Sequence, residues 1–291
     1  MSATTDVARA APVASAGRRA WPRRRALPLS TWIGLLMVGL VVAIALLAPV
    51  LTPFDPVKTD LANSLEPPSS THLFGTDNFG RDIFTRLIYG ARVDLQIGIV
   101  PTTIMCLIGL VIGTVAAYSG GVIDGLLMRI VDISMAFPFY VLVIAIVAML
   151  GPGLGNMYVA MVLAGWVAYA RILRGEVLVA KNYEYIHAAR ALGATDRRVI
   201  CAHVLPNVVT VAIIFAMSDV VLNILLGGAL SFLGLGVQPP TPEWGLMIAE
   251  GRDFLLTFPA MVIFPGLALL WLGVAFNLLG DRLADRLRPR D

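Results

Sequence analysis

Residues 183–207 read YEYIHAARALGATDRRVICAHVLPN, a polar, basic, alanine-rich island between segments apolar enough to live only in a lipid bilayer. Strong helix formers (Glu184, Ala188, Ala189, Arg190, Ala191, Leu192) lead to Gly193, a natural helix stop. Thr195 or Asp196 is placed to cap a second short helix that reaches Leu205. Pro206 then falls in the first turn of the next apolar segment, where its missing N–H does no harm. The pattern predicts a helix–turn–helix across one membrane face, with Ala188 and Ala189 allowing another surface to approach closely. A solvated basic loop of good helix propensity is the plainer reading of the same residues.

Outward from the island, composition sets the class. The chain is 58% hydrophobic and only 14% charged over 291 residues, against roughly 25% charged in an ordinary soluble domain; its mean hydropathy is +0.81. A span needs about 20 apolar residues to cross a core of about 30 Å. Six stretches reach or approach that length: 31–51, 95–117, 130–150, 154–173, 208–235 and 254–279. Each is expected to be an α-helix, because lipid offers no partner to an exposed backbone group. Arg18, Arg19, Arg23, Arg24 and Arg25 precede the first run, as in a signal peptide. The run is long for an h-region and lacks a small-x-small cleavage site, so it is expected to stay as the first span. Residues 1–30 are expected to form a disordered basic cytoplasmic tail.

Lysine and arginine placement sets the orientation. Basic residues crowd the N-terminal tail, the island (Arg171, Arg174, Lys181, Arg190, Arg197, Arg198) and a C-terminal tail over 282–291. The opposite connections are poor in them: 151–156 has none, 236–253 has Arg252 alone, and loop 52–92 balances its basic residues with acids. Both termini are therefore expected in the cytoplasm, as an even number of spans requires. Loop 52–92, expected to carry an interfacial helix, lies outside, and 93–281 forms a five-helix core around the island. No extramembrane piece is long enough for an independent enzyme core, since chains below about 40 residues rarely fold alone.

Several chemistries are excluded. There is no GxxxxGK[ST] phosphate loop, no HExxH, no GxSxG and no GxGxxG after a strand. Cys106 and Cys201 cannot build a disulfide framework, and His72, His187 and His203 are scattered. No metal site, no bound cofactor and no nucleic-acid partner are expected; energy for transport would enter through a partner or an ion.

Charges inside apolar segments carry the remaining signal. Arg129 and Asp132 stand i, i+3 on one face of the third span, where a mutual ion pair would anchor the helix. Asp219 lies deep in the fifth segment, with Ser218, Asn223 and Met217 nearby. Such an acid faces protein or a water-filled path rather than lipid. It either lines a path for solute, where it would meet a cationic group, or joins helices by a hydrogen bond to a second membrane subunit. Gly227 and Gly228 are expected to allow a bend in this over-long segment. In the outer loop, Gly75, Asp77, Gly80, Arg81 and Asp82 suit turns and caps, or a docking surface for an external protein.

The island's full spacing, His187-Ala188-Ala189-x3-Gly193, nine residues, then His203-x-Leu205-Pro206, resembles the cytoplasmic signature of binding-protein-dependent ABC importer permeases. His187 stands where that signature has an acid, and His203 where it has isoleucine. The segments LFGTDNFGRDIFTRLIYGAR (73–92), ALSFLGLGVQPPTPEWG (229–245) and NLLGD (277–281) followed by Leu283, Asp285, Leu287 and Pro289 are similar to the C-type permease of the dipeptide, oligopeptide and nickel branch. The resemblance implies a six-helix type I importer fold in a prokaryotic inner membrane, with a homologous second permease completing the pore. It implies two ATP-binding subunits that hold ATP and Mg and do the hydrolysis, and an external substrate-binding protein. It also makes 183–206 a coupling helix, with His187, Ala188, Ala189, Gly193, Leu205 and Pro206 seated on the ATPase. Dipeptides or oligopeptides are the implied substrates; nickel chelates, glutathione or haem are the alternatives. Two rival classes stay open. An ion-coupled transporter would use Asp132 and Asp219, but inverted repeats are not visible. A membrane enzyme lacks a catalytic constellation.

Overall fold

The computed structural model describes residues 29–287; the arginine-rich segment before Leu29 and the last four residues, both expected to be cytoplasmic tail, lie outside them. Among the described residues the regular elements are helices, with one isolated bridge between Thr76 and Asp82. Helix α1 spans Leu29–Leu51, and α2 spans Ile83–Ser119. The expected third span is two helices, α3 (Gly121–Met135) and α4 (Phe139–Leu150), set at 84°. Then come α5 (Leu154–Ala180), α6 (Glu184–Ala191), α7 (Asp196–Val199), a π-helical turn (Ile200–Val204), α8 (Leu205–Phe232), α9 (Trp244–Gly251) and α10 (Ala260–Leu287).

Five helices are long and apolar enough to cross a membrane, and the bent pair α3–α4 makes a sixth crossing if counted as one. The break follows from sequence. Pro138 cannot donate to the helix ladder and disfavours the α conformation at Phe137 before it, and Pro138 itself is extended (φ −59°, ψ 127°). The expected unbroken helix over 130–150 is corrected accordingly.

Helix α2 corrects the outer loop. Its 37 residues rise about 55 Å at 1.5 Å each, well beyond the hydrocarbon core. The loop ends at Asp82, whose carboxylate accepts from the Thr85 amide at 2.7 Å and caps the helix. No separate interfacial helix forms within 52–92; that stretch holds only a 3-10 turn at Leu61–Asn63 before α2 begins. The first turns of α2 are buried (Ile83, Thr85, Arg86, Ile88, Ala91, Asp94) because the loop and α9 cover them.

α2, α5 and α8 pack together at the centre, while α1 and α10 pack on each other at the side. Small residues permit this. A Cβ on Gly109 would lie 2.2 Å from Tyr169 Cβ of α5, and one on Gly227 would lie 2.4 Å from Ile97 of α2. Helix α8 runs unbroken through Gly227 and Gly228, so these glycines supply close approach rather than the expected bend. Gly228 meets α9, where a Cβ on Gly245 would be 2.4 Å from Gly228 Cα. α10 continues to Leu287, past the expected start of the tail at 282.

Candidate coupling hairpin and internal cavity

The island forms a compact hairpin at the end of the bundle where α2 finishes and α5 ends. Helix α6 closes in a Schellman motif: the Gly193 amide donates to Arg190 O at 2.9 Å and the Ala194 amide to Ala189 O at 3.0 Å. Gly193 holds φ +85°, with nothing within 4 Å of where its Cβ would be. The backbone conformation, not crowding, requires glycine there.

Only one strip of the hairpin faces inward. Ile186 is fully buried among Val199, Val204, Val177 and Leu173. His187, Ala188, Gly193 and Pro206 are exposed, Ala189 and Leu205 are half-buried, and Leu192 stands 89% exposed at the tip. Polar ties fix the hairpin to the bundle. Arg190 donates to the Tyr118 hydroxyl at 3.0 Å, and that hydroxyl donates to Asp196 at 2.5 Å. Lys181 Nζ donates to Ala117 O at 2.8 Å, and Asn207 Nδ2 to the Tyr185 hydroxyl at 3.0 Å.

The second arm differs from expectation. Residues Asp196–Phe232 form one continuous rod of 37 residues. Pro206 offers no N–H to Ala202 O, and the backbone widens into the π-helical turn, where Leu205 N–H reaches Ile200 O. The short helix and the fifth span are thus one lever, not two pieces.

Above the hairpin, α3 and α5 are cross-linked by two ion pairs. Arg174 clasps Asp124 with two hydrogen bonds of 2.6 Å, and Arg171 pairs with Asp132. The expected Arg129–Asp132 pair does not form; Arg129 makes no ion pair among the described residues. Helix α5, packed across α3, brings the Arg171 guanidinium to Asp132 instead.

Between α2, α5, α8 and the α3–α4 break lies a cavity of about 390 Å³. Asp219 lines it, along with Tyr169, Phe215 and Phe137–Tyr140. Asp219 Oδ2 accepts from the Tyr169 hydroxyl at 2.9 Å and from Asn223 Nδ2 at 3.2 Å. Asn223 is buried behind it and also donates to Thr102 at 2.8 Å. The helix-joining bond of Asp219 therefore lies inside this chain, from α8 to α5. Ser218 and Met217 are not brought into the cavity: Met217 packs against the cluster shared with α10, and both lie against Gly280.

At the opposite end of the bundle, the outer-loop residues are interior. Arg81 donates to Asp77 at 2.7 Å and to Glu250 at 2.9 Å; Arg86 donates to the same Glu250 oxygen at 2.9 Å. Asp77, Arg81 and Asp82 are each 5% exposed or less. Gly75 and Gly80, at φ +76° and +72°, press on the Glu66 and Asp60 carbonyls. These five residues build a clasp within the chain. Arg86, Glu250, Asp94 and Glu243 escaped the sequence reading. Glu243 caps α9 by accepting from the Gly245 and Leu246 amides at 2.8 and 2.7 Å. Its position before Trp244-Gly245 was the available signal. Burial pushes its carboxyl above the usual range, against those two amides. Asp94 was a charge one residue ahead of an apolar run, overlooked because the span was started at Leu95.

The described residues thus form a helical bundle with an open cavity in its wall and a hairpin tied to one end by hydrogen bonds. The chain belongs to the family of binding-protein-dependent transport system inner membrane components, which matches residues 109–290. Residues 15–68 match the N-terminal transmembrane domain of oligopeptide transport permease C. The dipeptide transport system permease protein DppC of Alkalihalophilus pseudofirmus is 42% identical over 89% of this chain and 85% of its own. The glutathione transport system permease protein GsiD of Pectobacterium atrosepticum is 40% identical over 100% and 96%. Among solved structures, a chain of the inward-facing MetNI methionine ABC transporter has a TM-score of 0.57 over 71% of this chain and 98% of that one. At 19% identity this likeness bears on the fold alone.

Proposed function

We propose that this chain is a pore-forming subunit of an ATP-driven importer of dipeptides and related short peptides. The hairpin 183–207 is its contact with an ATP-hydrolysing subunit. The carrying observation is the hairpin itself, which presents Ala188, Gly193 and Leu192 outward while α5 and the Asp196–Phe232 rod run from it into the bundle. A push on the hairpin is delivered to both walls of the cavity as a rigid-body movement. The lysine and arginine distribution supports a cytoplasmic hairpin and cytoplasmic termini. The exposed apolar flanks suit lipid and a second, homologous permease, and the clasped outer end suits a substrate-binding protein. ATP and Mg belong to the hydrolysing partners. The dipeptide permease relatives support the substrate class; the glutathione permease relatives, at similar identity, support a modified tripeptide as the second reading.

The test is uptake of a labelled dipeptide and of glutathione into proteoliposomes carrying the chain, its co-purifying subunits and the binding protein. Uptake that requires ATP hydrolysis is expected, with one of the two solutes preferred. Uptake driven by an ion gradient without ATP would overturn the reading.

A further inference from the structure

Many of the other acids in and beside the helices are neutralised or held, while Glu176 and Glu184, which have no such partner among the described residues, lie outside the cavity lining. Asp124 and Asp132 take arginines of α5, Asp77 and Glu250 take Arg81 and Arg86, Asp82 takes His72 at 3.0 Å, and Asp94 and Glu243 accept backbone amides. Asp219 has no cation. Among the residues lining its cavity it is the one charged group. Its Oδ2 takes both donors, Tyr169 and Asn223, and its Oδ1 makes no hydrogen bond among the described residues. A carboxylate held by one oxygen that lines a space of about 390 Å³ is available to pair with a cation there. The space falls within the range of roughly 300–1,000 Å³ usual for small-molecule sites. The same lining includes Tyr169, Phe215, Phe137, Phe139 and Tyr140, and aromatic ring faces attract a cation and repel an anion. A hydrated divalent metal would want several oxygen ligands; one carboxylate in an aromatic lining suits an organic ammonium instead.

We infer that Asp219 is a binding subsite for the ammonium group of the transported solute, with an N–H of that group donating to Oδ1 in the aromatic cavity. This rests on the reading of the chain as a peptide-importing permease and adds that the permease itself reads charge. The ammonium comes either from a peptide N-terminus or from a lysine side chain. Tyr169 and Asn223 are positioning residues: they fix Oδ2 and thereby aim Oδ1.

The test is binding without ATP and without the binding protein, by calorimetry on the chain and its co-purifying subunits in nanodiscs. Three probes without a carboxylate separate the sources: glycyl-phenylalanine amide (terminal ammonium), N-acetyl-lysine amide (side-chain ammonium) and N-acetyl-glycyl-phenylalanine amide (neutral). Wild type should bind at least one charged probe about tenfold more tightly than the neutral one, the size of a partly desolvated cation contact. Asp219→Asn should abolish that preference, and the probe that loses affinity names the source. Tyr169→Phe, which keeps the carboxylate but releases Oδ2, should weaken the preference without abolishing it. Equal binding of charged and neutral probes by wild type, or no binding of either, overturns the inference even if Asp219→Asn fails to assemble. So does an Asp219→Asn complex that keeps the preference. Because no ATP is present, absence of ATP-driven uptake would refute the importer reading without touching this result.

Discussion

The Ala194 amide donates to the Ala189 carbonyl at 3.0 Å, across a glycine at φ +85°. This bond ends α6 and turns the chain toward the lever Asp196–Phe232. The surface around it is exposed.

Gly193→Ala should cost the hairpin about 1 kcal/mol, the penalty for a side chain in left-handed backbone, with uptake reduced but present. Gly193→Trp adds bulk on the outward surface and should abolish uptake while the protein still inserts and assembles. Fluorescence-detected size exclusion checks assembly, and proteoliposome uptake checks transport.

The clasp should dominate stability at the outer end. Glu250→Gln leaves Arg81 and Arg86 short of a shared carboxylate, and breaking a buried ion pair typically costs about 3–5 kcal/mol. Arg252→Ala removes an exposed contact of 3.5 Å to Asp253 and should change stability by less than about 0.5 kcal/mol. Thermal unfolding of the two variants in one detergent should differ plainly.

Crowding between α8 and α9 gives a third expectation. Gly245→Ala must push Gly228 away and should cost about 1–3 kcal/mol, as overpacking does. Gly125→Ala, with nothing within 4 Å of the added Cβ, should be neutral. The same melting assay separates them.

Across α3 and α5, Asp124→Asn should destabilise by about 1 kcal/mol, at the upper end for a partly exposed pair. Arg129→Ala should have no such effect, because Arg129 pairs with nothing described. Equal losses in both would restore the i, i+3 pairing expected from sequence.

How far sequence reached depends on the range of the physics involved. Gly193 and the stop of α6 were legible, since a Schellman turn is local chemistry. So was the apolar length of most spans. Pro138 was visible, but its consequence was lost inside a uniformly apolar run over 130–150. Helix α2 was started a dozen residues late because Ile83–Asp94 looks polar for a membrane segment. The loop that precedes it folds back on it, and α9, far away in the chain, helps make that stretch interior. For Asp132 the sequence offers Arg129 at i−3, whereas the packing of α5 across α3 delivers Arg171. At the cavity, the depth of Asp219 was readable; its partners Tyr169 and Asn223, and the turning of Met217 and Ser218 toward α10, required the packed bundle.

The most direct test of the account places a photoreactive residue at Leu192, 89% exposed on the hairpin, and at Leu256, 97% exposed at the opposite end. After illumination of the assembled complex, mass spectrometry identifies what each position has captured. Crosslinks from Leu192 to an ATP-hydrolysing subunit, and none to that subunit from Leu256, are the predicted result. Failure of Leu192 to reach that subunit in a complex that contains it would contradict the assignment of the hairpin as the coupling element.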